Sequence, residues 1–263
     1  MTVESWLGLL TSELRRRGVA PDAVVAEVAL HLRESGQDPE RVFGTPYAYA
    51  TRVAESLVVM NPTPPGNVRL EVRGITKRYG RRTVLDGIDL TVRAGEVLAI
   101  VGANGCGKST LLRICAGLVS PDAGEVRVHG RLGYCPQEGG TAERLTPDEH
   151  FILIGAGRGA RRTTARHAGR SVAATLDWPE VADAPVAGRL SGGTRQKLNL
   201  IMSGLGDPEV LLLDEPYQGF DKGSYLDFWQ QVWRWRTERK AVVVVTHLLS
   251  ELDRVDAVLE LGR

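Results

Sequence analysis

Residues 97–109 read VLAIVGANGCGKS, and this stretch decides the fold. The run from Glu96 to Val101 suits a strand buried on both faces of a parallel sheet. Residues 102–109, GANGCGKS, follow at once and fit the full G-x-x-x-x-G-K-[ST] pattern, and Lys108–Leu118 continues as a helix. Strand, glycine-rich loop and helix in that order make a phosphate site. Gly102, Gly105 and Gly107 let backbone N–H groups curl around phosphate oxygens, and the helix N-terminus adds its positive end. Lys108 reaches toward the β- and γ-phosphates, and the Ser109 hydroxyl suits a Mg²⁺ ligand. Asn104 and Thr110 complete the expected nucleotide-binding set.

A second stretch supplies carboxylates. Residues 210–216, VLLLDEP, form a buried strand with two acidic side chains at its C-terminal end, where ligands sit in parallel α/β sheets. Asp214 suits the Mg²⁺ shell. Glu215, next along, faces the γ-phosphate side and suits the general base that takes a proton from the attacking water.

Around these stretches the chain alternates. Val68, Leu70 and Val72 are spaced as in a strand, and Thr83–Val92 reads as a second, glycine-interrupted one. Further strands are expected at Glu125–Val128, Leu132–Cys135, Val210–Asp214, Ala241–Thr246 and Ala257–Leu261, with a helical stretch between Thr146 and Gly204. Upstream, residues 61–67, NPTPPGN, favour an extended connector and mark a domain boundary. Residues 1–60 then form a small all-α domain of three or four short helices, and residues 68–263 an α/β domain. Asp38-Pro39 and Thr45-Pro46 each place a capping side chain before a proline at the first helical position. Trp6, Leu7, Leu10 and Leu14 share one helical face, as do Val24, Val25, Val28 and Leu32.

Composition narrows the function classes. The 263 residues are 43% apolar and 25% charged, enough to give two domains a core, and disorder is excluded. Lys plus Arg number 33 against 32 Asp plus Glu, so the net charge of +1 lacks the basic excess of a nucleic-acid binder, and no nucleic-acid partner is expected. No apolar run approaches the ~18 to 20 residues of a membrane-spanning helix. The N-terminus also lacks the order of a secretory signal, so a cytoplasmic location is expected. Cys106, Cys115 and Cys135 contain no C-x-x-C pair and are expected as reduced thiols, Cys106 as incidental packing. The arginines between Arg158 and Arg170 read as a solvated helical face.

Residues 190–197, LSGGTRQK, resemble the signature motif of ATP-binding-cassette (ABC) ATPases. The resemblance covers nearly all of residues 67–263 and implies the P-loop ABC ATPase fold. That fold has an antiparallel β subdomain and a helical subdomain at about 138–204, here preceded by the small all-α domain. It assigns Tyr79 to stacking on adenine, Gln137 to Mg²⁺ and the attacking water, and His247 to the γ-phosphate. It assigns Asp221 to the loop that crosses a dimer interface. Ser191, Gly192 and Gly193 would bind the γ-phosphate of ATP held by the opposite subunit. Two departures stand out: Thr194 replaces the usual glutamine of the signature, and Tyr217 and Phe220 replace the usual threonine and leucine after the acidic pair.

The resemblance implies two cassettes, identical or different, closing head to tail on two ATP molecules and reopening on hydrolysis. It also implies a separate multi-pass membrane permease that receives the motion, with the cassette peripheral on the inner face of the membrane. The motif set looks most like bacterial drug or natural-product exporters. The alternative is a soluble cassette ATPase acting on a cytosolic complex. The stretch VFGTPYAYATRVAESL at 42–57, after ESGQDPER, resembles the small helical HAAS domain over roughly residues 8–58, and residues 1–60 are expected to bind a regulatory protein or the permease, or else to pack passively on the cassette.

Overall fold

The structure, a computed structural model, describes residues 2–17, 21–35, 38–58, 66–246 and 254–262. The chain divides into two compact units, Met1–Pro62 and Thr63–Arg263. Of the proline-rich stretch, residues 61–65 lie outside the described residues.

The first unit is helical: α1 (Val3–Arg16), α2 (Pro21–Ser35), α3 (Pro39–Phe43) and α4 (Pro46–Val58). Both expected caps form. Asp38 Oδ1 accepts from the N–H groups of Glu40 (2.9 Å) and Arg41 (3.2 Å), and Thr45 Oγ1 accepts from Ala48 N (3.2 Å). Trp6, Leu10 and Leu14 of α1 are buried with Val28, Leu32, Phe43 and Tyr49, whereas Leu7, Val24 and Val25 are half-buried. The indole N–H of Trp6 is satisfied by Gly44 O at 3.1 Å, which lets the largest side chain of this core be wholly enclosed.

The second unit opens with a hairpin of β1 (Val68–Tyr79) and β2 (Arg82–Arg93), followed by β3 (Val97–Gly102), α5 (Lys108–Cys115), β4 (Ala123–Val128) and β5 (Leu132–Cys135). Next come α6 (Pro147–Gly157), α7 (Arg162–Thr175), two 3₁₀ turns at Pro179–Asp183 and Ala187–Arg189, and α8 (Gly192–Gly204). The unit ends with β6 (Val210–Asp214), α9 (Lys222–Thr237), β7 (Ala241–Val245) and β8 (Ala257–Leu261).

The strands form two sheets, an antiparallel one ordered β2-β1-β4 and a parallel one ordered β5-β6-β7-β3-β8. β6 and β7 are buried at every position, as continuous apolar runs in a two-sided parallel sheet should be. A single core joins the sheets through α5: Leu111 and Leu112 pack with Leu70, Val72 and Ile75 from one sheet and Ile100, Leu212 and Val243 from the other. The glycine-rich loop before α5 is thereby held from both sides.

β2, β3 and β4 differ from expectation by one or two residues at their ends, and three other boundaries differ as well. β1 extends to Tyr79, carried past Val72 by register shifts in its pairing with β2. α5 stops at Cys115, not Leu118, because Gly117 takes φ +72° and ends the helix. β7 ends at Val245, although Thr246 N still donates to Ile100 O (3.1 Å). Among the described residues no helix is long and apolar enough to cross a membrane.

Candidate functional site

The parallel order places β3 and β6 with only β7 between them, so the loop after β3 and the carboxylates after β6 emerge on one edge. There Ser109 Oγ, in the first turn of α5, donates to Asp214 Oδ1 at 3.0 Å. Lys108 is buried, and its Nζ donates to the carbonyls of Gly102 (2.8 Å) and Ala103 (3.0 Å), which folds the ammonium over the loop. Gly107 caps α5 with φ +111°, and a Cβ there would lie 2.8 Å from Val84 Cγ1, so only glycine lets β2 close against the loop.

Asn104, Gly105, Gly107, Lys108, Ser109 and Thr110 line one cavity of about 560 Å³. Tyr79, Gln137 and Glu215 reach it from β1, from the loop after β5 and from the end of β6. Tyr79 is half exposed, leaving a ring face for a base, with Lys77 Nζ 5.6 Å from its centroid. Gln137 Nε2 donates to Glu215 Oε2 at 2.9 Å. Glu215 has φ +47°, a left-handed conformation that costs a non-glycine residue about 1 to 3 kcal/mol and aims its carboxylate into the cavity. Sequence reasoning missed Val84 and Gln218, which also line the cavity, and Arg82, which donates to Gly105 O at 2.8 Å. Alternation in β2 assigns Arg82 and Val84 a face, but not the loop that face meets, and Gln218 lies in the irregular loop after Glu215.

Asp214 is fully buried, and burial pushes its carboxyl above the ordinary value, with the neighbouring Glu215 charge adding to the shift and the Ser109 hydrogen bond opposing it. Among the described residues its Oδ2 has no hydrogen-bond partner. An orphaned carboxylate oxygen beside a serine hydroxyl is a hard oxygen pair of the kind Mg²⁺ prefers, completed by phosphate oxygens and water. Ser109 and Asp214 therefore fit that ion. Gln137, whose Nε2 is committed to Glu215, would reach it through Oε1.

The signature residues stand elsewhere. Ser191 caps α8, accepting from Thr194 N (3.1 Å), and its hydroxyl is 2.7 Å from Thr194 Oγ1. Thr194 thus shares in the cap, a bond the usual glutamine does not make through a β-hydroxyl. Gly193 abuts Gly219, since a Cβ on Gly193 would lie 2.3 Å from Gly219 O. Asp221 caps α9, accepting from Ser224 N at 2.8 Å. Ser191, Gly192, Gly193 and Asp221 do not line the cavity of the phosphate loop. His247 lies outside the described residues.

Two further expectations are refined. Arg161, Arg162 and Arg166 are exposed, but Arg158 is half-buried and donates to Leu132 O at 3.1 Å, and Arg170 pairs with Asp148. The three cysteines are free thiols. Burial raises Cys115 to about 12 and pushes Cys135 up as well, leaving both inert.

Residues 85–218 match the ABC transporter family model. The chain is 40% identical over 199 residues to an aliphatic sulfonates import ATP-binding protein of Nocardia farcinica, covering 74% of this chain and 79% of that one. It is 33% identical over 198 residues to a Nod factor export ATP-binding protein of Ralstonia nicotianae, covering 71% of this chain and 61% of that relative's length. Among solved structures, an ATP-binding subunit of an ABC transporter superposes with a TM-score of 0.68 at 24% identity, over 74% of this chain and 86% of that one. The chain belongs to the ATP-binding-cassette family of ABC transporters and is an ATP-binding, ATP-hydrolysing cassette. The exporter-like reading of its motifs is not singled out, because relatives are named for export and for import.

Proposed function

We propose that the chain hydrolyses ATP at the Glu215 site in a head-to-tail dimer and passes the resulting motion to a separate membrane permease, from the cytoplasmic face of the membrane. The observation that carries this reading is the loop after β5. Pro136 and Glu138 line a groove of about 640 Å³ between the sheet and α6 and α8, while Gln137 between them lines the nucleotide cavity and bonds Glu215. One short segment therefore faces both an open surface groove and the carboxylate assigned to activating water. Leu118 and Leu153 are exposed at the groove, an apolar footing for a cytoplasmic helix of the permease.

Within the site, Tyr79 stacks the adenine, Lys108 and the α5 N-terminus hold the phosphates, and Glu215 takes a proton from water. The water oxygen then attacks the γ-phosphorus, and the bond to the β–γ bridging oxygen breaks. Ser109 and Asp214, with Gln137 adjacent, would hold Mg²⁺, which when bound would neutralise charge gathering on the phosphate oxygens. Lys108 and His247 stabilise the same charge. Ser191, Gly192 and Gly193 at the start of α8 complete the site of the opposite subunit, and Asp221 lies at the crossing of the two. Residues 1–60 we assign to binding a regulatory protein or the permease. Their unit has its own core and exposes Leu9 and Tyr47, apolar surface suited to a protein contact.

The test is recovery of the tagged chain from detergent-solubilised membranes of its host. A multi-pass protein should co-purify in stoichiometric amount and be lost from the L153D variant. Recovery with a cytosolic complex instead would overturn the permease assignment.

A further inference from the structure

Tyr217 and Phe220 replace smaller residues of the family pattern, and the structure shows what the added bulk touches. The loop after Glu215 turns back on itself, with Gln218 N donating to Glu215 O (3.2 Å) and Phe220 N to Tyr217 O (3.0 Å). The Tyr217 ring packs edge-on against Tyr225 at 5.3 Å and lies 5.6 Å from Phe228, both on α9. Its phenolic oxygen is 2.5 Å from Thr246 Oγ1. Thr246 is wholly buried and fastened to the phosphate-loop strand by its N–H on Ile100 O, and it immediately precedes His247 in the chain. At the other end of the loop, the Phe220 ring lies 5.9 Å from Lys197 Nζ on α8, and the backbone of Gly219 abuts Gly193.

We propose that Tyr217 is a positioning residue: its hydrogen bond to Thr246 ties the loop that carries Glu215 to the end of β7, which is itself fastened to the phosphate-loop strand through Ile100, so that Glu215 is held at a fixed place against the phosphate loop. The inference rests on the assignment of Glu215 as base. A threonine at position 217 has neither the length to span to Thr246 nor the ring to pack on α9, so this strut belongs to the tyrosine. Breaking it leaves the phosphate loop intact and loosens the groups that orient water and γ-phosphate, a loss that falls on the chemical step and not on binding.

The test uses the full chain and steady-state ATP hydrolysis. Y217F keeps the ring and its packing and removes the hydroxyl; T246V removes the partner. Each should lower kcat about tenfold with KM for ATP changed less than about twofold. The double variant should be no slower than either single one, because both delete the same bond. T246S, which restores a hydroxyl, should recover most of the turnover that T246V loses. A purely structural role would lower the melting temperature in step with kcat and leave T246S and T246V alike. Wild-type kcat in Y217F, a rise in KM alone, or a double variant slower by the product of the single effects would overturn the inference. E215Q separates the two layers. If E215Q is inactive while Y217F turns over normally, only the strut is wrong; if E215Q hydrolyses ATP at the wild-type rate, the assignment of the base fails and the strut fails with it.

Discussion

Asp214 lies at the end of β6 with one carboxylate oxygen on Ser109 and the other, among the described residues, without a hydrogen bond, so burial opposes its ionisation. Its folded pKa is raised above the unfolded value, mainly by burial. The folded state therefore holds the proton more tightly, and stability falls as pH rises through the folded pKa and is fully present below the unfolded one. D214N removes that charge and should raise the melting temperature of the nucleotide-free chain in EDTA at pH 8 by about 2 to 4 °C, roughly 1 kcal/mol, while abolishing hydrolysis. The difference should close toward acid pH. A lower melting temperature for D214N at pH 8 in scanning calorimetry would refute this account. At this scale the sequence was informative about identity and silent about partners: the pattern around Gly102–Ser109 and the Asp214–Glu215 pair named the residues. It did not show that Gln137 bonds Glu215 or that Tyr217 reaches Thr246, because each contact joins residues far apart in the chain, and it did not show the left-handed backbone of Glu215, a conformation that a non-glycine residue rarely adopts.

The elements were legible wherever the local signal was unmixed. Apolar runs gave β3, β6 and β7, and the Thr146 to Gly204 stretch gave its helices, the first sealed by a capping box in which Thr146 N donates to Glu149 Oε2 at 2.7 Å. The hairpin was harder to read, since its strands are bent by register shifts that alternation does not anticipate. So was the end of α5, where Gly117 overrides an apolar pattern that continues to Leu118. The junction of α8 with the loop after β6 is a property of two elements together. Gly193 meets Gly219 O so closely that a Cβ would lie 2.3 Å from it, with backbone on both sides of the contact. G193A must push the start of α8 away from that loop. We expect it to lower turnover by at least about a hundredfold, the cost of a displacement near 1 Å at reacting groups, while ATP binding to the single chain, read by fluorescent-nucleotide titration, stays within about threefold because the phosphate loop is untouched. Loss of ATP binding in G193A would show that the two sites are not separable in this way.

For the molecule as a whole, the decisive feature is that the residues proposed to act on the γ-phosphate stand in two separate places. The phosphate loop, Gln137 and Glu215 share one cavity, whereas Ser191 and Gly192 are exposed at the positive end of α8 and do not line it. A helix N-terminus with free N–H groups is an anion site, and in a head-to-tail pair it would meet the phosphate held by the other copy. In the proposed dimer ATP would join two chains and its cleavage would remove the joint, so the population of dimer would follow the lifetime of bound ATP by mass action. E215Q should lengthen that lifetime, because the amide cannot take the proton while the uncharged side chain leaves phosphate binding in place. In light scattering coupled to gel filtration, E215Q with ATP and Mg²⁺ should run at twice the mass of the nucleotide-free chain. Wild-type protein under the same conditions should return to the monomer as ATP is consumed. Replacing Lys108 by Ala in the E215Q background should abolish the dimer by removing a phosphate ligand, and ADP should not support it, since the bridging γ-phosphate is missing. A monomeric E215Q at saturating ATP would mean that this chain closes on a different cassette, and mixing it with candidate partners from the same membrane preparation would then be the assay in which the dimer must appear.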